Sequence, residues 1–193
     1  MRVLRSVRLE GFWRSEQLPS ALEWRNLVRR NIRRREEQLW LSQVRFQSKL
    51  RTYILVKQSL VPEKYLFSLR AEETRMLTTF RSGSSKLRVE TGRWKGEKRE
   101  QRVCQMCALD VEDERHMLLH CPAYQSERRL LAEGVARISY GRLRLSCMPE
   151  DVQLRILMGC GSMDSLYVPI FRIVARYLIA CFAYRARFLL LSV

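Results

Sequence analysis

Residues 104–121 constrain this chain more than any other stretch. They run Cys104-Gln-Met-Cys107-Ala-Leu-Asp-Val-Glu-Asp-Glu-Arg-His116-Met-Leu-Leu-His120-Cys121, a C-x2-C-x8-H-x4-C pattern. Three of the six cysteines and both histidines of the 193-residue chain fall inside it. Two thiolates on a tight turn, followed by an imidazole and a third thiolate on a helix, form a four-ligand set suited to tetrahedral Zn²⁺. The C-x-x-C spacing lets one reverse turn aim two sulfurs at one ion. His116 and Cys121 are five residues apart, about 1.4 helical turns, and are expected roughly on one side near a helix start. Glu112, Asp113 and Glu114 suit the positive end of that helix, and Pro122 discourages its continuation. His120 is the alternative fourth ligand, but its adjacency to Cys121 leaves less room to wrap the ion, so His116 is preferred. With every position filled by protein, the metal is expected to be structural rather than catalytic. The competing reading is ordinary buried cysteines beside surface histidines.

The charge balance points to a partner. Thirty-six Lys and Arg against twenty Asp and Glu give a net charge of +16. Arginine dominates, and its planar fork matches phosphate oxygens bidentately and stacks on bases. A surplus of this size suits a polyanion, RNA or DNA, without deciding between them. Base composition of the genome is the competing explanation. Cys147, Cys160 and Cys181 lie in apolar surroundings and read as buried thiols. The metal-type cluster and the odd remainder suit a reducing compartment, nuclear or cytoplasmic. The N-terminus lacks the apolar segment of a secretory signal.

Periodicity divides the chain into a basic arm and helix over 1–35, a helical segment and loop over 36–102, the knuckle over 103–130, and C-terminal helices over 131–193. The expected fold is mostly α: a small helical domain with a CCHC zinc knuckle between helices. Ser20 is a candidate N-cap for a helix over 20–35 that carries Arg29, Arg30, Arg33, Arg34 and Arg35. Apolar steps predict helices over 36–60 and 63–80, the latter burying Tyr65, Leu66, Leu69, Met76, Leu77 and Phe80, with Glu72 and Glu73 paired locally to Arg70 and Arg75. Residues 86–90 read as an extended stretch or a helix start. Helices follow over 124–138 (with Gly134 a possible interruption) and 145–157, stopped by Gly159 and Gly161. The last helix, 168–191, is strongly apolar, but Arg172, Arg176, Arg185 and Arg187 interrupt it. It reads as a core or partner-facing helix rather than a membrane span, with a basic interfacial helix the alternative.

The residues Lys49-Leu50-Arg51-x-Tyr53, Arg81-x-Gly83-Ser84, Glu90-x-Gly92-Arg93, and above all Arg102-x-Cys104-x2-Cys107…Glu114-x-His116-x-Leu118-Leu119-x-Cys121-Pro122-x-Tyr124-x3-Arg128 resemble the C-terminal zinc-binding region of non-LTR retrotransposon reverse transcriptases. The resemblance covers about residues 40–130. It implies that Cys104, Cys107, His116 and Cys121 hold zinc and that the region helps grip template RNA or target DNA. No Asp-Asp palm pair occurs, and no lysine follows Pro149-Glu150-Asp151 as a nuclease site would need. The chain is therefore expected to be neither a polymerase nor a nuclease, but a detached tail of such an element or a host gene derived from one.

Two functions remain in view. The first is a zinc-stabilised nucleic-acid-binding module, with Arg33, Arg34, Arg35, Arg81, Arg88, Arg93 and Arg99 on phosphates and with Trp94 and Tyr124 as stacking surfaces or simple covers of the metal. The second is a protein-interaction or inert relic domain with purely structural zinc, its partner held by the apolar C-terminal helix. An enzyme has little support: no histidine pair is left uncommitted and no nucleophile elbow occurs.

Overall fold

The structure, a computed structural model, describes residues 9–13, 19–57, 59–159 and 164–191. Cys160 and Gly161 lie outside them. Two compact units divide the chain, Met1–Ser48 and Lys49–Val193.

The first unit is dominated by one helix, α1, Ala21–Phe46. Its start is a capping box: Ser20 Oγ accepts from the Glu23 N–H at 3.4 Å, and the Glu23 carboxylate accepts from the Ser20 N–H at 2.9 Å. No Gly or Pro interrupts the next 26 residues, so helix propagates through the expected boundary at 35/36. The separate helices expected over 20–35 and 36–60 are thus one helix that stops earlier, where Gln47 turns extended (φ −92°, ψ 108°). Beyond it the pattern of residues 50–60 is overridden by tertiary pairing: Arg51 and Thr52 are held by Glu114, leaving among the described residues a single α-helical turn, Tyr53–Val56.

The second unit holds α2 (Ala71–Arg81), α3 (Arg88–Trp94), α4 (Gln125–Ile138), α5 (Glu150–Met158) and α6 (Asp164–Leu191). No strand occurs among the described residues, only an isolated antiparallel bridge between Val103 and Val111. The helix expected over 63–80 is split. Tyr65–Ser68 forms one turn, Arg70 is extended, and α2 starts afresh with the Glu73 carboxylate accepting from the Arg70 N–H. Leu66, expected inside, is exposed. Residues 88–94 settle the ambiguous stretch as helix.

The hub is α6, which packs on α4, α2, α5 and the Tyr65–Ser68 turn. Ile170, Phe171, Val174, Tyr177, Leu178 and Cys181 recur at three- and four-residue steps and are buried. Opposite them lie Leu77, Phe80, Leu131, Val135, Leu154 and Leu157. Each such side chain contributes about 1.5–3 kcal/mol relative to exposure. Rings order this core, with Tyr65 edge-on to Phe171 at 5.0 Å and Phe80 edge-on to Phe182 at 6.3 Å. By length and composition alone Leu166–Leu191 would also suit a membrane span.

Two glycines have specific work here. Gly134 does not interrupt α4; a Cβ there would lie 3.0 Å from Ile173 Cδ1, so glycine lets α4 and α6 approach closely. Gly159 ends α5 in the left-handed region (φ 92°), and a Cβ would collide with the Phe171 ring. Glu73 departs from the expected local pairing. It is buried and receives Arg176 at 3.1 Å and Arg172 at 3.9 Å, tying α2 to α6.

Candidate metal centre

The ligand set is assembled from two pieces of chain. The first is a tight loop over 103–111, closed by the Val103–Val111 bridge and by Cys104 N–H donating to Asp110 C=O at 2.8 Å. Ala108 accepts the left-handed conformation (φ 56°) that returns the chain after the second cysteine, and its N–H donates to Cys104 C=O. The backbone N–H groups of Met106 and Cys107 point at the Cys104 sulfur, the arrangement that stabilises a thiolate.

The second piece is a short helix entered at Asp113, whose carboxylate accepts from the His116 N–H at 2.9 Å. The acidic run thus caps this helix as expected. Its body, His116–His120, is wider than an α-helix: the Cys121 N–H donates to His116 C=O at 2.8 Å, five residues back. This π-type turn brings residues five apart toward register, which is what the H-x4-C spacing requires. The Ala123 N–H points at the Cys121 sulfur.

These pieces bring Cys104, Cys107, His116 and Cys121 together, with all four ligand atoms within 4.8 Å of one another. Cys104 Sγ and Cys121 Sγ are 3.9 Å apart, and Cys107 Sγ is 3.3 Å from His116 Nε2. A tetrahedral centre with metal–sulfur bonds of about 2.3 Å and a metal–nitrogen bond of about 2.05 Å has edges of about 3.8 and 3.6 Å. The cluster therefore has the size of a four-coordinate metal site. His116 Nε2 faces the sulfurs, and the buried Nδ1 has no protein partner among the described residues. His120 stands outside the cluster, exposed and 3.4 Å from Glu150, so His116 is the imidazole that lies with the three sulfurs.

Burial pushes the Cys104 and Cys121 thiols up and the His116 imidazole down. The pocket thus disfavours charge unless a cation supplies compensation, while keeping the imidazole neutral and able to ligate.

Around the ligands lies a shell of ion pairs that sequence reasoning missed. Glu112 is fully buried, 3.9 Å from Cys104 Sγ. It is held bidentately by Arg185 of α6 at 2.7 and 2.9 Å and accepts from the Arg88 N–H at 2.8 Å. Glu114, also buried, takes Arg51 and Thr52. Tyr177 donates to Met117 C=O at 2.7 Å. The knuckle is therefore bolted to α6 at two points. Arg185 lies 73 residues from Glu112, and nothing local marks the pair; an arginine inside an apolar helix was the one available signal.

The expected phosphate-contacting residues divide. Arg81 must be withdrawn: it is buried, paired with Glu63 and packed over the Tyr65 and Phe171 rings at 5.2 and 5.3 Å. Arg88, Arg93 and Arg99 are partly or largely accessible but engaged by Glu97, Glu90 and Asp113. Trp94 is exposed. Tyr124 is fully buried, edge-on to Tyr184 at 6.3 Å, and so covers the site rather than offering a stacking face. Arg33, Arg34 and Arg35 are exposed on α1. Cys147, expected buried, is exposed because it sits in the loop before α5, while Cys181 is buried as expected.

Comparison with protein-family models, with curated proteins and with solved structures finds no match.

Proposed function

We propose that this chain is a zinc-stabilised nucleic-acid-binding module, similar in role to the C-terminal zinc-binding region of non-LTR retrotransposon reverse transcriptases and without polymerase or nuclease activity of its own. Zinc is the metal that best suits three thiolates and one imidazole at these separations, and a closed set gives it a structural role. It holds the knuckle so that exposed Trp94 is presented on a fixed body.

The single observation that carries the nucleic-acid reading is the state of the arginines. In the second unit many are neutralised by acids, whereas Arg29, Arg30, Arg33 and Arg34 of α1 are exposed and have no ion-pair partner among the described residues. Such charge attracts phosphates and releases their counterions on binding. The test is fluorescence anisotropy of the zinc-loaded chain with RNA and DNA oligonucleotides at 50 and 200 mM salt, with metal content read by mass spectrometry. Binding that weakens by orders of magnitude over that range, with one zinc per chain, is expected. Salt-insensitive or absent binding to both nucleic acids refutes the reading.

A further inference from the structure

The N-terminal half of α1 lies outside the stretch that resembles retrotransposon proteins, and its arginines are not scattered evenly. At about 100° per residue, Arg25, Arg29 and Arg33 form one row within about 80° of arc. Arg30 and Arg34 form a second row, centred about 120° further round. All five are exposed. Asn26, also exposed, falls in the sector between the rows. Arg35 belongs to neither: it lies on the opposite side, in the sector of Trp24, Val28 and Ile32. Toward the C-terminal half, exposed Glu36 and half-buried Trp40 take the place of the first row, half-buried Leu41 that of the second, and half-buried Glu37 and buried Val44 the sector between. The two-rowed face is thus confined to the N-terminal half of α1.

Two cationic rows flanking a neutral polar sector match two phosphate walls flanking a groove. A helix with its side chains is about 10–12 Å across, and the B-form major groove is about 12 Å wide. From Arg25 to Arg33 the helix advances about 12 Å, which covers three to four phosphates of one strand at about 3.4 Å each. An asparagine between the rows meets base edges with both a donor and an acceptor. The deep, narrow major groove of A-form RNA does not admit such a helix, and a single strand offers only one wall. The helix carries seven arginines against three glutamates; Glu23 is committed to the Ser20 cap, and Glu36 and Glu37 come only after the last arginine of both rows, where the two-rowed face ends.

We infer that the N-terminal half of α1 docks in the major groove of B-form duplex DNA, with Arg25, Arg29 and Arg33 on one strand, Arg30 and Arg34 on the other, and Asn26 toward the base edges. This inference rests on the nucleic-acid reading above and narrows it to a ligand form and a surface.

The experiment uses the full zinc-loaded chain and four probes: a 20-base-pair DNA duplex, the RNA duplex of the same sequence, single-stranded DNA, and vesicles of phosphatidylserine and phosphatidylcholine. The expected order is DNA duplex at least tenfold tighter than either other nucleic acid, with no preference for vesicles. The triple variant Arg25→Gln, Arg29→Gln, Arg33→Gln should weaken duplex binding on the order of 100-fold and lower the log–log salt slope by about 3, near 0.9 per lost phosphate contact. Arg30→Gln with Arg34→Gln should lower it by about 2. Arg35→Gln removes one identical charge from the wrong side and should leave the slope unchanged. Helical circular dichroism and metal content verify that each variant is folded.

Equal binding of DNA duplex, RNA duplex and single strand, or an Arg35→Gln effect as large as one third of the triple variant's, overturns the groove inference and leaves the broader reading standing. Binding to vesicles in preference to duplex overturns it in favour of a membrane surface. No salt-sensitive binding to any nucleic acid overturns both.

Discussion

Replacing Arg185 by methionine tests how the knuckle is held. The substitution keeps an apolar stem of similar reach in α6 and removes the charge. Glu112 is then left fully buried with only the Arg88 N–H of its former partners, 3.9 Å from a ligand sulfur. Once metal binding has made Cys104 a thiolate, it and the Glu112 carboxylate repel by about 4 kcal/mol at an effective dielectric of about 20, before the ion's own charge is counted. In the parent protein the bidentate guanidinium at 2.7 and 2.9 Å offsets this. Breaking one side of a buried pair costs about 3–5 kcal/mol, in agreement with the Coulomb figure. We expect Arg185→Met to destabilise the second unit by about that much in urea and to weaken metal affinity about 10- to 100-fold, the effect typical of lost outer partners. The double variant Glu112→Gln, Arg185→Met removes both charges and should recover most of the loss. The assay is a double-mutant cycle by urea denaturation, with metal affinity from competition against a chromophoric chelator. A coupling energy below about 0.5 kcal/mol would place the pair among independent sites and refute the account of how the knuckle is fixed to α6.

Three further outcomes follow from the same geometry. Because burial holds the Cys104 and Cys121 thiols protonated in the metal-free pocket, metal binding should release protons and apparent affinity should fall as pH drops below neutral; a pH-indicator titration showing no proton release contradicts this. The metal-free fold should in turn lose stability as pH rises above the ordinary thiol range, since unfolded chains ionise there while these two thiols do not. Cys107→Ser should cost several kcal/mol and make the melting temperature insensitive to chelator; an unchanged melting temperature in parent protein treated with chelator is the contrary result. Gly159→Ala combines a left-handed backbone (φ 92°) with a collision against Phe171, and should cost more than about 2 kcal/mol by thermal melting, the sum expected from strain and core displacement.

The ligand cluster was legible in the sequence because its geometry is local. Two residues between cysteines dictate a turn, while the five-residue step from His116 to Cys121 keeps both near one helix and comes toward register once that helix widens to π type. Ser20 announced the start of α1 for the same reason, as did Gly159 the end of α5. The apolar run of α6 marked it as a core or partner-facing helix, and its packing alone decided which face is buried.

Which arginines are free was decided only in three dimensions. Arg81 and Arg33 look alike in the sequence, each exposed to the same +16 surplus. One is sealed between Glu63 and two rings; the other faces solvent. Nor could periodicity foresee that residues 47–57 would abandon the helix, since Arg51 and Thr52 are drawn to Glu114, more than sixty residues away. A ligand pattern set by bond lengths and helical pitch is written in adjacent residues. The partner of a buried charge is set by which distant acid also loses its water, and that depends on how the helices pack.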